Sequence, residues 1–207
     1  MEYWNSDITE ESWKTLIALR SKVNFILIGG WASYIYTKLM KSRDIDIVVD
    51  YGELERINSL FGIVKNDRLK KYETKIGRVD VDIYVPYYSM LPIPPQDLIK
   101  KFRTNVEGFD TVTPESLLVL KLGAFEDRRE SVKGYKDSVD ALGLLLFSGL
   151  NIQTFKEILR EYGLERYTKY VVSLFNSADE RMLKYLHLNQ NSFSRLKRKI
   201  VKDLTDS

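Results

Sequence analysis

The feature that most constrains this chain is a pair of short runs, Asp44-Ile-Asp-Ile-Val-Val49 and Val79-Asp-Val-Asp-Ile-Tyr-Val85, in which aspartates alternate with apolar residues. A repeat of two is that of a β-strand, whose successive side chains point to opposite faces. Each run therefore predicts a strand with one apolar face and one face carrying two carboxylates. Asp44 and Asp46 share a face of the first, and Asp80 and Asp82 share a face of the second. If the two strands lie side by side, the acids converge. Converging carboxylates repel one another and destabilise a fold unless a cation sits between them.

Just upstream, Phe25-Ile-Leu-Ile28 is fully apolar and stops at Gly29-Gly30. It reads as a buried strand followed by a tight turn. From Trp31 to Met40, Ala32, Ile35, Tyr36 and Leu39 fall at helical spacing. Glycines let the backbone come close to a ligand, and the start of the helix behind them offers free N–H groups to a phosphate. Alone, the glycine pair is an ordinary strand-to-helix turn. Beside the acidic strands it predicts a polyphosphate site, with Ser33 as the nearest hydroxyl.

The rest of the composition narrows the chemistry. The 207 residues include no cysteine and one histidine, His187. Disulfides, thiolate zinc sites, cysteine nucleophiles and multi-imidazole sites are thereby excluded. A metal would be held by oxygen, which favours Mg²⁺ or Mn²⁺. Two such ions about 4 Å apart can clamp the attacking and leaving oxygens of a phosphoryl displacement. One aspartate bridging both ions, with further acids to either side, is a workable arrangement.

The net charge of +3 is too even to imply nucleic-acid binding by itself. The segment Met1–Glu11 is polar and acidic, unlike a signal peptide, and no apolar run nears the roughly 20 residues of a spanning helix. The expectation is a cytoplasmic protein without a membrane segment.

Further elements follow from local pattern. A first helix runs to about Arg20, and a short amphipathic one covers Glu53–Phe61. Lys71–Ile76 and Arg78–Val85 form a hairpin about Gly77. Pro86, Pro92, Pro94 and Pro95 mark a loop. Thr113-Pro114 opens a helix that passes Lys121 and ends near Arg129, a second spans Lys136–Phe147 after a loop at Gly134, and the rest is helical. The expected fold class is α/β (α+β): a short mixed sheet flanked by helices over residues 1–110, then a helical region over 111–207 that closes over the ligand.

A second motif is Lys121-Leu-Gly-Ala-Phe-Glu-Asp-Arg128, followed by Lys136-Asp137 and Asp140. Lys121 and Arg128 share one helix face, as do Asp137 and Asp140. Two readings remain open. The cations contact a triphosphate, for which Arg is suited, or the four residues form an ion-pair network between packed helices, for example Arg128 with Asp140.

Ile28-Gly-Gly-Trp-Ala32, eleven residues, then Asp44-Ile-Asp46 resembles the signature of the DNA polymerase β nucleotidyltransferase superfamily. The Lys121–Asp140 block resembles that of AbiEii-type nucleotidyltransferases, which include the MenT toxins. The resemblance spans about residues 25–147. It implies that Gly29 and Gly30 contact an NTP, that Asp44, Asp46 and Asp82 (or Asp80) hold the metals, that Lys121 faces the phosphates, that Asp137 is a catalytic or orienting acid, and that Arg128 and Asp140 are supporting partners. It implies transfer of a nucleoside monophosphate to a hydroxyl of tRNA, a protein or a small molecule. A toxin-like member would have an antitoxin partner. One departure stands out: many members carry serine after the first glycine, where this chain has Gly30, so phosphate contacts would rest on backbone N–H groups. The alternative reading is a catalytically silent nucleotide-binding or interaction module of the same fold.

Other residues carry two accounts each. Trp31 is core packing or a base stack, and His187 is a helix-end residue. Lys70, Lys71 and Arg78 either line an acceptor groove or guard hairpin edges. Arg195, Lys197, Arg198, Lys199 and Lys202 form a solvated helix face or an RNA contact.

Overall fold

The computed structural model describes residues 6–128 and 131–205, which form two compact units. The first unit comprises the described residues up to Ile35 together with Lys41–Thr113; the second comprises Tyr36–Met40 with the described residues from Pro114 onward.

The first unit is a seven-stranded mixed sheet with helices packed on it. In chain order it contains α1 (Ser6–Arg20), β1 (Ile26–Ile28), the start of α2 (Gly29–Thr37), β2 (Ile45–Val48), α3 (Tyr51–Phe61), β3 (Val64–Asn66), β4 (Lys71–Ile76), β5 (Val79–Tyr84), α4 (Pro95–Lys101), β6 (Arg103–Val106) and β7 (Phe109–Val112). The strand order is β3-β4-β5-β2-β1-β7-β6. Strands β2 and β5 are parallel neighbours, with Ile45 opposite Val81, Asp46 opposite Asp82 and Ile47 opposite Ile83. The alternation in the two acidic runs accounts for this. Ile45, Ile47, Val79, Val81 and Ile83 are all but fully buried, so the apolar set is committed to the core. A slip of one residue would turn it out to solvent. The tyrosine, tryptophan and phenylalanine side chains nearby add a cluster: Trp13 lies 4.9 Å from Trp31 and 5.6 Å from Phe109.

Strands β3, β6 and β7 and helix α4 have no counterpart in the sequence reading. β6 and β7 are only four residues long and meet at Glu107-Gly108, both with positive φ (53° and 79°), which suits a two-residue hairpin turn. β7 then runs parallel to β1, and the Thr111 hydroxyl donates to the Leu27 carbonyl at 2.7 Å. The proline-rich stretch is not all loop: Pro94 and Pro95 open α4, a place where a missing N–H costs nothing.

The second unit is helical: α5 (Pro114–Arg128), α6 (Val132–Phe147), α7 (Ile152–Glu161), α8 (Tyr167–Ser177), α9 (Glu180–Tyr185) and α10 (Gln190–Thr205). Helix α6 starts earlier than its apolar pattern does, because the Ser131 hydroxyl accepts from the Gly134 N–H and caps it. Arg129, where the sequence ends the preceding helix, lies outside the described residues. Among the described residues no helix is long and apolar enough to cross a membrane.

Helix α5 is tied to α8 by Glu126, whose carboxylate accepts from Arg166 Nε at 3.1 Å, Tyr167 Oη at 3.1 Å and Tyr170 Oη at 2.6 Å. Arg166, with the two phenols, holds the Glu126 carboxyl down to about 2 from its ordinary 4.5. A folded-state value below the unfolded one stabilises above the unfolded value and is lost as pH falls through the folded one. Glu126→Gln should therefore cost about 1 kcal/mol at pH 7, after discounting for solvent screening. Urea denaturation at pH 7 and at pH 2.5 checks this: the gap between wild type and variant should shrink at the acid end, and a gap independent of pH would refute the assignment.

Candidate active site

The core side of the sheet is apolar, and the other side of β2, β5 and β4 is polar. Asp46 and Asp82 are directly opposite in the β2–β5 register, and Glu73 is directly opposite Asp82 in the antiparallel β4–β5 register. Because β5 lies between β4 and β2, the three acids form a row, Glu73–Asp82–Asp46, with Asp82 in the middle. Asp44, two residues before Asp46, lies close enough to act electrostatically on Asp82. Asp44, Asp46 and Asp82 are all half-buried.

Gly29 brings the helix start to this row. It follows Ile28, which pairs with Asp46 across β1 and β2. Its φ is +68°, and a Cβ built on it would lie 2.0 Å from Asp46 Oδ2. Only glycine gives both the backbone conformation and the room. Gly29→Ala should therefore cost about 2–4 kcal/mol, combining left-handed strain with overpacking, and should displace Asp46 in whatever fraction still folds. A thermal melt checks the first part; a variant that melts like wild type would show that Asp46 does not need this space. Gly30 and Ser33 are buried behind Gly29, and the Ser33 hydroxyl donates to the Gly29 carbonyl at 3.1 Å.

The sequence reading missed the partner of Asp82. Lys71 Nζ lies 2.5 Å from Asp82 Oδ2 and 2.9 Å from Glu73 Oε1, and its side chain is only 12% exposed. Burial pushes the Asp82 carboxyl up, Lys71 pulls it down, Glu73 and Asp44 push it up again, and the net direction is upward. Burial opposes the charge on Lys71, but the hydrogen bonds it donates to Asp82 and Glu73 outweigh this and hold the ammonium above its usual range. Lys71 holds the Glu73 carboxyl below its usual range. The signal was present: counting outward from the Gly77-Arg78 turn puts Glu73 across from Asp82 and Lys71 one pleat further on the same face.

Asp80 shares the polar face with Asp82 but is exposed, 3.2 Å from Lys75 Nζ. Among the described residues no three carboxylate or imidazole groups stand close enough to grip one ion as they are placed. The donors nonetheless suit Mg²⁺ or Mn²⁺ in kind, being carboxylate oxygens on facing strands, and the missing Gly29 side chain leaves the Asp46 carboxylate its space.

The second motif is an ion-pair network within the helical unit. Lys121 Nζ lies 2.7 Å from Asp140 Oδ2 and 3.4 Å from Asp137 Oδ1, and Arg128 Nε lies 2.7 Å from Asp137 Oδ2. The pairing differs from the Arg128–Asp140 example: Arg128 takes Asp137, and Asp140 takes Lys121. Lys121, Asp137 and Asp140 are buried. Spacing alone could not show this, because helix faces do not reveal which side chains the packing seals.

The other singled-out residues fall outside the acidic row. Trp31 is 1% exposed and donates to Ser12 Oγ at 2.8 Å, so it is core and not a base stack. Lys70 lies over the Tyr88 ring at 5.5 Å, and Arg78 pairs with Glu11. His187 is exposed, with φ 53°, just past α9. In α10, Phe193, Ile200 and Leu204 are buried while Arg195, Arg198 and Lys199 are exposed, the pattern of a solvated amphipathic helix.

No family model and no curated protein matches this chain. Among solved structures, JHP933 from Helicobacter pylori superposes with a TM-score of 0.50 at 15% identity, covering 97% of this chain and 94% of that one. The two share a fold over nearly their whole lengths. An antigenic nucleotidyltransferase-like protein from Paracoccidioides brasiliensis gives a TM-score of 0.43 at 19% identity, covering 82% of this chain and 92% of that one, a level too low to carry an argument.

Proposed function

We propose that the chain is a metal-dependent nucleotidyltransferase acting at the β2–β5 face. The observation that carries this reading is the register of Asp46 against Asp82 on parallel strands, with Asp46 packed under a glycine at the start of a helix. Facing carboxylates in a half-buried site repel one another and favour a bound cation. The signature Ile28-Gly-Gly-Trp-Ala32 … Asp44-Ile-Asp46 supports the same reading, and register favours Asp82 over Asp80 as the third acid.

In this reading Asp44, Asp46 and Asp82 hold Mg²⁺ or Mn²⁺, which supplies charge neutralisation at the transferring phosphoryl group when bound. Backbone N–H groups after Gly29 receive phosphate oxygens. The acceptor hydroxyl oxygen forms a bond to the α-phosphorus of an NTP, the bond to the β-phosphate oxygen breaks, and pyrophosphate leaves with that electron pair. A carboxylate of the row takes the hydroxyl proton. The acceptor is a hydroxyl of tRNA, a protein or a small molecule, and a toxin-like role with an antitoxin partner belongs to the first two.

The Lys71–Asp82 pair favours a second reading, a silent nucleotide-binding module whose acids are neutralised from within. Incubation with each α-labelled NTP, Mg²⁺ and a total cell extract separates the two. The enzyme reading expects label on one class of acceptor. Nucleotide binding by calorimetry without transfer or hydrolysis would leave the module.

A further inference from the structure

We propose that Lys71 is a displaceable internal counter-ion, resting on Asp82 when no divalent cation is bound and withdrawing to Glu73 when one binds. The inference rests on the metal-dependent reading above. Its starting point is the placement of the ammonium, 2.5 Å from Asp82 and 2.9 Å from Glu73 on a side chain that is mostly buried. This is a cation inside the carboxylate row and not a surface lysine passing over it. A divalent ion bonded to a carboxylate sits about 2.1 Å from its oxygen. An ammonium kept on the same carboxylate would face two positive charges at close range, so cation binding at Asp82 favours its withdrawal.

Strand order provides the retreat. Glu73 and Asp46 lie on opposite sides of Asp82, since β5 runs between β4 and β2. Lys71 can therefore clear the Asp46–Asp82 side while keeping a carboxylate partner. Glu73 is the more exposed of its two partners, at 37% against 23%, and is itself steadied by Asn66 Nδ2 at 3.1 Å. The exchange keeps the acidic strands neutralised before cation binding, when repulsion between them would otherwise be largest.

The test is calorimetric titration of Mn²⁺ into the full chain, as wild type, Lys71→Met and Asp82→Asn. Removing a competing charge should tighten Mn²⁺ binding in Lys71→Met by about tenfold or more. The same variant should melt lower than wild type without metal and gain more from added Mn²⁺. Far-UV circular dichroism confirms the fold, and Lys71→Gln replaces Lys71→Met if the latter does not fold. Equal or weaker binding by the lysine variants, with Asp82→Asn still abolishing it, would overturn the counter-ion role and leave the metal reading standing. No Mn²⁺ binding by wild type or either lysine variant would overturn both.

Discussion

On the proposed nucleotidyltransferase reading, replacing Asp46 with asparagine should reduce nucleotidyl transfer by more than about 100-fold and leave the fold intact. The substitution keeps the shape of the side chain and removes its charge. Shape matters because Asp46 packs against Gly29, whose missing Cβ leaves only this much space. Charge matters because Asp46 is one of two acids in direct register on parallel strands. Replacing a group that merely orients a metal ligand costs about 10–100-fold, so replacing a residue in the ligand role proposed for Asp46 should cost more. Stability should hold or rise slightly, because one of several close like charges is gone. The measurement is transfer of label from an α-labelled NTP beside a thermal melt. Transfer at the wild-type rate by a natively folded Asp46→Asn chain would remove Asp46 from the chemistry. Loss of transfer with an equal loss of fold would show a structural residue instead.

What was legible in the sequence follows from which forces act locally. The period of two in Asp44–Val49 and Val79–Val85 marked two strands with shared polar faces, because burial of Ile45, Ile47, Val81 and Ile83 permits no other register. Gly29 was legible as a close approach, although its neighbour was expected to be a phosphate and the structure shows the Asp46 carboxylate. β6 and β7 were not legible: Arg103–Val106 and Phe109–Val112 are too short for periodicity, and pairing to β1 is a contact across 84 residues. Lys71 was read as lining an acceptor groove or guarding a hairpin edge and not as the partner of Asp82, since its role depends on which strand stands beside β4. The second motif was read as shared helix faces with its partners left open. Whether those faces look at solvent or at each other depends on packing, which spacing does not carry.

That packing sets the second large effect. Lys121→Met should destabilise the chain by about 3–5 kcal/mol, the usual consequence of removing one partner from a buried ion pair. Lys121 is 7% exposed by its side chain, and Asp137 and Asp140 are 2% and 3% exposed. Without the ammonium, Asp140 loses its 2.7 Å contact, while Asp137 keeps Arg128. Two carboxylates one helical turn apart then face each other where water does not reach. The loss corresponds to a fall of about 10 °C in Tm for a chain of this length. Adding Asp140→Asn to Lys121→Met should recover a good part of the loss, because an uncharged pair needs no counter-charge. A lysine that served only to contact a triphosphate would behave otherwise: its replacement would weaken NTP binding and leave the melt unchanged. An unchanged melting temperature in Lys121→Met would therefore overturn the structural role and return Lys121 to the nucleotide. A large fall, repaired by the second substitution, would make the buried network the reason these four residues occur together.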